Sequence, residues 1–124
     1  MKASLLPRFC RSSRVDADPD AVLLVYSSLP DEPAARQLAR FLVEARLAAC
    51  VNVLAPCTSV YRWQGKLLEQ VTEVPVLIKT TARRYAALES AMRERHPYEL
   101  PEIVAVPVTH GLPGYLAWVA AETT

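Results

Sequence analysis

The segment His96-Pro97-Tyr98-Glu99-Leu100-Pro101-Glu102 gathers one imidazole and two carboxylates into a single short stretch. A borderline nitrogen beside two hard oxygens suits copper(II) or zinc(II) better than magnesium, which prefers oxygen alone. We therefore expect a weak, accessible divalent-metal site centred on His96, with Glu102 the preferred carboxylate, Glu99 a second and Cys50 a soft donor. Either ion would be an exchangeable partner, since no residue pattern calls for an obligatory cofactor. The sequence contains no HExxH, CxxC or paired-histidine spacing, and neither GxxxxGK[ST] nor GxGxxG. His96 and His110 are the only histidines, and neither belongs to a nucleophile motif. No catalytic set is assigned, and a non-enzymatic protein is expected.

Each candidate also has a plainer reading. Cys50 can be a small buried apolar residue, and His96 can sit at a helix C-terminus for the sake of its dipole. Tyr61 and Trp63 read first as interface hydrophobes. Lys79 and Glu73 fall on one strand face and suit an ion pair, while Arg83-Arg84 reads as a solvated helix face.

These residues need a scaffold, and the hydrophobic pattern supplies one. Ala21–Ser27 is a short apolar run of strand type, closed by Ser28-Leu29-Pro30-Asp31. Asp31 can cap a helix over 31–46, in which Ala35, Leu38, Leu42 and Ala45 recur at helical spacing. Ala48–Trp63 reads as two strand segments kinked at Ala55-Pro56. Gln64-Gly65 makes a tight turn into a strand from Lys66 to Thr80, with Thr72, Val74, Val76, Ile78 and Thr80 on one face. Thr81 is expected to cap a second helix with Tyr85, Leu88 and Met92 inward, and His96-Pro97 stops it. Ile103–Val108 reads as a strand buried on both faces, and Tyr115, Leu116, Trp118 and Val119 belong to a short closing helix.

The order β-α-β-β-α-β plus a helix predicts an α+β, ferredoxin-like fold with a long protruding hairpin between its second and third strands. At ~3.3 Å per residue the Lys66–Thr80 strand is ~50 Å long. A domain of about 100 residues is only ~35 Å across. The hairpin must therefore project, carrying Val60, Tyr61, Trp63 and Leu67, and such an arm calls for cover by another subunit.

The 124 residues allow one domain, expected over 21–124, with residues 1–20 as an extension lacking fixed structure. Lys+Arg number 14 against 13 Asp+Glu. Beyond residue 20 the count is ten of each, a balance that argues against a nucleic-acid binder. The longest apolar run, Tyr115–Ala121 at seven residues, falls far short of the ~20 residues of a membrane span, as do Ala21–Tyr26 and Ile103–Val108. Cys10, Cys50 and Cys57 form no pairable motif, which suggests reduced thiols and a cytoplasmic location. The strand 67–80 lacks the aromatic platform of RNA-recognition modules, and Ser27-Ser28-Leu29-Pro30 lacks the glycine and arginine of an acylphosphatase anion loop.

Five segments carry a resemblance. They are Ala49-Cys50-Val51-Asn52, SVYRWQGK at 59–66, Ile78-Lys79-Thr80-Thr81, HPYELPEI at 96–103, and the closing Gly111, Tyr115, Leu116 and Trp118. In this order and spacing the chain resembles the CutA family of divalent-cation tolerance proteins from about Val22 to Ala121. The resemblance implies a homotrimer whose long hairpins pair between subunits, and a role in the response to copper and other divalent ions. It implies no defined reaction. Some bacterial members carry a cysteine where this chain has Ser27, whereas Cys50 matches a position where many members carry one. Tyr61, Trp63, Lys66, Lys79, Tyr98 and Trp118 are then expected at an intersubunit cleft or interface. The alternative is a nucleotide-sensing trimer of the PII type, against which the tight Gln64-Gly65 turn counts.

Overall fold

In the computed structural model, which describes residues 18–124, the chain forms β1 (Val22–Leu29), α1 (Glu32–Glu44), β2 (Cys50–Val53), β3 (Cys57–Trp63), β4 (Lys66–Thr81), α2 (Ala82–Arg95), β5 (Val104–Pro107) and α3 (Pro113–Glu122). The sheet is antiparallel in the order β2-β4-β1-β5, with β3 also paired to β4. This is the expected ferredoxin-like α+β arrangement with its projecting hairpin.

Local chemistry sets the element ends. The Asp31 side chain accepts from the Ala34 N–H at 2.9 Å, and Pro33 occupies the first turn of α1. Ala45, expected inward, is instead exposed beyond the end of α1. Arg84 donates to the Ala45 and Arg46 carbonyls at 3.4 and 3.2 Å, so it caps α1 rather than facing only solvent. The expected Thr81 cap of α2 is corrected: Thr81 stands at the N-cap position but makes no capping bond, because its buried hydroxyl meets that of Thr123 at 3.3 Å. Residues 1–17 of the expected extension lie outside the described residues. Asp18–Asp20 are held against α2, with Asp20 paired to Arg83 at 2.7 Å and the Arg83 N–H donating to the Pro19 carbonyl at 2.8 Å.

The 16-residue β4 organises the rest. Its inner half lies between β1 and β2, with Val74, Val76, Ile78 and Thr80 buried. Together with Val25, Leu29, Ala35, Leu38, Leu42, Leu88 and Met92 they form the core beneath α1 and α2, Thr80 excepted as the polar member. Its outer half pairs only with β3 and makes the arm. Pro75 falls where β2 has ended and β3 has not begun, so its missing N–H coincides with a break in the neighbouring strand. At the arm's tip Gln64 and Gly65 both have positive φ, +52° and +79°. That pairing matches a hairpin turn to the twist of its strands.

The opposite sheet face is covered only in part. α3 buries Val22 and Ala49 against Val119. Leu24, Tyr26 and Leu77 stay half-buried, and Val104 and Val106 are 51% and 55% exposed. The expectation that β5 is buried on both faces is thus corrected. Among the described residues β5 pairs with β1 alone, so it is an edge strand, and no helix there covers its outer face.

Candidate functional site

Where α2 ends, the chain turns into a connector (97–103) that runs beside the base of the arm. His96 closes the helix with its N–H on the Met92 carbonyl and its backbone already extended. The imidazole is 8% exposed. Nε2 lies 2.7 Å from the Ser28 carbonyl, and Nδ1 accepts the Tyr98 N–H at 3.1 Å. A carbonyl can only accept, so Nε2 bears the proton and the ring is neutral. Burial lowers the His96 pKa, against the opposing pull of the Ser28 carbonyl and the Glu73 charge. The expectation of an accessible metal site centred on His96 meets a buried ring: both nitrogens are engaged, and His96 acts as a strut between β1 and the connector.

From this strut a hydrogen-bonded chain crosses to the arm. The Tyr98 hydroxyl donates to Glu73 Oε2 at 2.9 Å, and the Ser59 hydroxyl donates to Glu73 Oε1 at 2.7 Å. The Tyr98 pKa is raised, first by burial and then by this bond to a carboxylate. Between arm and connector lies a cleft of about 740 Å³ lined by Ser59, Tyr61, Trp63, Glu73, Tyr98, Glu99 and Glu102 among others. Three carboxylates and no cationic side chain occupy its described lining. Burial raises the Tyr26 pKa, reinforced by Cys57, Glu102 and Glu73, so the charges of Glu73 and Glu102 act on one phenol.

The cleft thus brings together Glu99, Glu102, Tyr61, Trp63 and Tyr98 of the expected residues. Cys50 is placed elsewhere, on β2, with its sulfur 3.8 Å from Lys79 Nζ. Lys79 also donates to Asn52 Oδ1, and it makes no pair with Glu73, which corrects that expectation. The two side chains share a parity on β4 but lie six residues apart along the strand. Lys66 is exposed at the arm tip, opposite Trp63. Trp118 lies on α3, 43% exposed and 5.6 Å from the Tyr115 ring, outside the cleft lining. Among the described residues no group of three or more His, Cys, Asp or Glu side chains converges as a metal cage. Sequence reasoning placed Ser59 within a candidate segment without a role of its own, and missed the central place of Glu73. The strand alternation that put Glu73 on this face was the available signal, but its partners come from distant segments.

The chain matches the family model of the CutA1 divalent ion tolerance proteins over residues 23–122. It belongs to that family. The Xenopus laevis protein CutA homolog is 47% identical over 94 residues, 76% of this chain and 62% of the relative. The chain therefore spans about three fifths of that relative's length. The Thermus thermophilus divalent-cation tolerance protein CutA is 44% identical over 100 residues, 81% of this chain and 96% of the relative. Among solved structures, CutA from Xylella fastidiosa superposes with a TM-score of 0.80 at 45% identity, covering 84% of this chain and 99% of that one. A CutA from Archaeoglobus fulgidus, described as a periplasmic divalent cation tolerance protein, gives 0.79 at 31% identity, covering 83% and 99%. These relatives are named for tolerance or for the family and not for a reaction. Among the described residues no helix is long and apolar enough to cross a membrane.

Proposed function

We propose that this CutA-family chain is a non-enzymatic, self-associating protein of divalent-cation tolerance that takes copper(II) or zinc(II) at the arm–connector cleft. The observation that carries this reading is the charge of the cleft: Glu73, Glu99 and Glu102 line it without a cationic side chain. Glu73 and Glu102 are the carboxylates we assign to the ion, since each Glu73 oxygen keeps a second lone pair beside the hydroxyl it accepts. Both His96 nitrogens are occupied, and Cys50 lies outside the lining. Two carboxylates completed by water make an exchangeable site, suited to an ion that is cargo. The same negative lining repels phosphate, which argues against a nucleotide ligand.

Self-association into a homotrimer rests on the half-covered sheet face and on the arm, where Val60 and Leu67 are 60% and 59% exposed. Apolar surface of this kind on a strand edge favours cover by another chain. The free Cys50 and Cys57 thiols fit a cytoplasmic setting.

Calorimetric titration of copper(II) and zinc(II) in a non-chelating buffer tests the cation reading. Glu102→Gln and Glu73→Gln should weaken binding, and His96→Ala should change it less than either. Wild-type affinity in both glutamine variants would refute the assignment, and a loss confined to His96→Ala would return the imidazole to the site. Sedimentation equilibrium tests the assembly, for which a monodisperse monomer at micromolar concentration is the refuting result.

A further inference from the structure

We propose that the cleft takes its divalent ion as a flat complex with a neutral aromatic nitrogen ligand, of imidazole or diimine type, the metal at Glu73 and Glu102 and the ligand's ring against Tyr61. This rests on the cation reading and adds the chemical form in which the ion arrives. The cleft is graded along the arm. At its base the Glu73 carboxylate receives the Ser59 and Tyr98 hydroxyls. Farther out on β3, towards the turn, Tyr61 and Trp63 line the same cleft. At ~3.3 Å per residue they stand about 7 and about 13 Å beyond Ser59. A carboxylate base below an aromatic wall fits an occupant with a cationic head and a flat apolar body.

Size and donor chemistry point the same way. The cleft measures about 740 Å³. An ion with a full shell of waters, at ~30 Å³ each, fills only about a quarter of that space. A cleft of this volume with apolar and aromatic walls is of the kind that takes a small organic molecule. Copper(II) and zinc(II) also favour imidazole-type nitrogen, and the described lining supplies none. Both His96 nitrogens are engaged, and no histidine borders the cleft. Glu73 and Glu102 therefore offer oxygen alone, and the nitrogen comes with the ion. A neutral nitrogen ligand leaves the complex its two positive charges, which these two carboxylates balance. On binding, waters leave the metal and carboxylate oxygens take their places, with no change of oxidation state. The ligand's ring then covers Tyr61, adding a stacked, charge-assisted contact that a bare hydrated ion cannot make.

The test titrates the full chain, in a non-chelating buffer, with copper(II) alone and with copper(II) carrying one equivalent of bipyridine. The complex should bind about tenfold tighter than the bare ion, the scale of one stacked aromatic contact aided by charge. Tyr61→Ala should bring the ratio of the two affinities close to one, and Tyr61→Phe, which keeps the ring, should preserve it. Glu102→Gln should weaken both forms. The proposal is overturned if wild type binds the two forms equally, or if the ratio is the same in Tyr61→Ala. It is overturned as well if bipyridine alone, or the aromatic amine tryptamine, binds as tightly as the complex, because the cleft then takes an organic body without a metal. Equal binding of the two copper forms removes only this proposal and leaves the cation reading standing. Binding of neither form overturns the cation reading itself.

Discussion

The Tyr98 phenol and the Glu73 carboxylate meet at 2.9 Å across 25 residues of sequence, joining the connector after α2 to the base of the arm. Glu73 also receives the Ser59 hydroxyl, so one carboxylate holds two hydroxyls from separate segments. Hydrogen bonds to an ionised acceptor contribute more than neutral ones, and removing the acceptor leaves two donors unsatisfied. Glu73→Ala should therefore lower stability by about 2 kcal/mol, more than Tyr98→Phe at about 1 kcal/mol. Urea denaturation measures both, and the order of the two losses is the discriminating result.

Acid should loosen the same region through His96. Its folded pKa lies below the ordinary 6.5, chiefly because burial penalises the imidazolium. On acidification the unfolded chain takes up this proton first, so it binds more protons than the folded chain over the interval between the two values. The stabilisation is complete above about pH 6.5 and is lost as the pH falls through the folded value. His96→Gln, which cannot charge in this range, should show a shallower decline in urea midpoint between neutral and mildly acid pH. An identical decline in both proteins would remove His96 as its source.

Ser27 is fully buried, and its Oγ has no hydrogen-bond partner. It lies between Val25 and Leu29 on the strand face that forms the core. Deleting an unsatisfied buried hydroxyl removes a desolvation cost, so Ser27→Ala should raise stability by about 1 kcal/mol. A higher melting temperature is the expected reading.

The turn at Gln64-Gly65 offers two opposed substitutions. Gly65 has φ +79° and open space where a Cβ would go, so Gly65→Ala suffers backbone strain without a clash. A loss of about 1 kcal/mol is expected. Gln64 also adopts a positive φ, which asparagine tolerates better, so Gln64→Asn should stabilise the hairpin. Denaturant midpoints of the two variants should move in opposite directions.

Trp63 faces the cleft and is half-buried within one chain. Trp63→Ala should lower the melting temperature and loosen the assembly together. Thermal melts at two protein concentrations separate the effects, because only a loss of association makes the midpoint depend on concentration.

Elements whose order is set by local chemistry were legible in the sequence. Alternation along β4, the Asp31 cap, the Gln64-Gly65 turn and the His96-Pro97 stop each left a signature a few residues long. The errors arose where position depends on the rest of the fold. Ile103–Val108 is apolar throughout, a pattern shared by a doubly covered strand and by an edge strand whose cover lies outside the chain. His96 carries donor chemistry in its side chain, but its use is decided by the Ser28 carbonyl, 68 residues away. Glu73 was assigned to Lys79 by strand parity, yet Ser59 and Tyr98 claim both of its oxygens.

The central place of β4 also constrains the order in which the chain can fold. β1 leaves the ribosome before β4, and its partners on β4 lie between 45 residues later (Leu29 with Val74) and 59 residues later (Val22 with Thr81). Its other neighbour, β5, is more distant still. Until β4 has been synthesised, β1 and α1 have no central strand to dock on, and a stretch of apolar backbone waits unpaired. Pairings of such long range cost loop-closure entropy before they return any contact energy, which slows folding. The arrival of β4 then permits nearly every strand pairing at once, so the sheet should form in one late cooperative step instead of growing hairpin by hairpin from its N-terminal end.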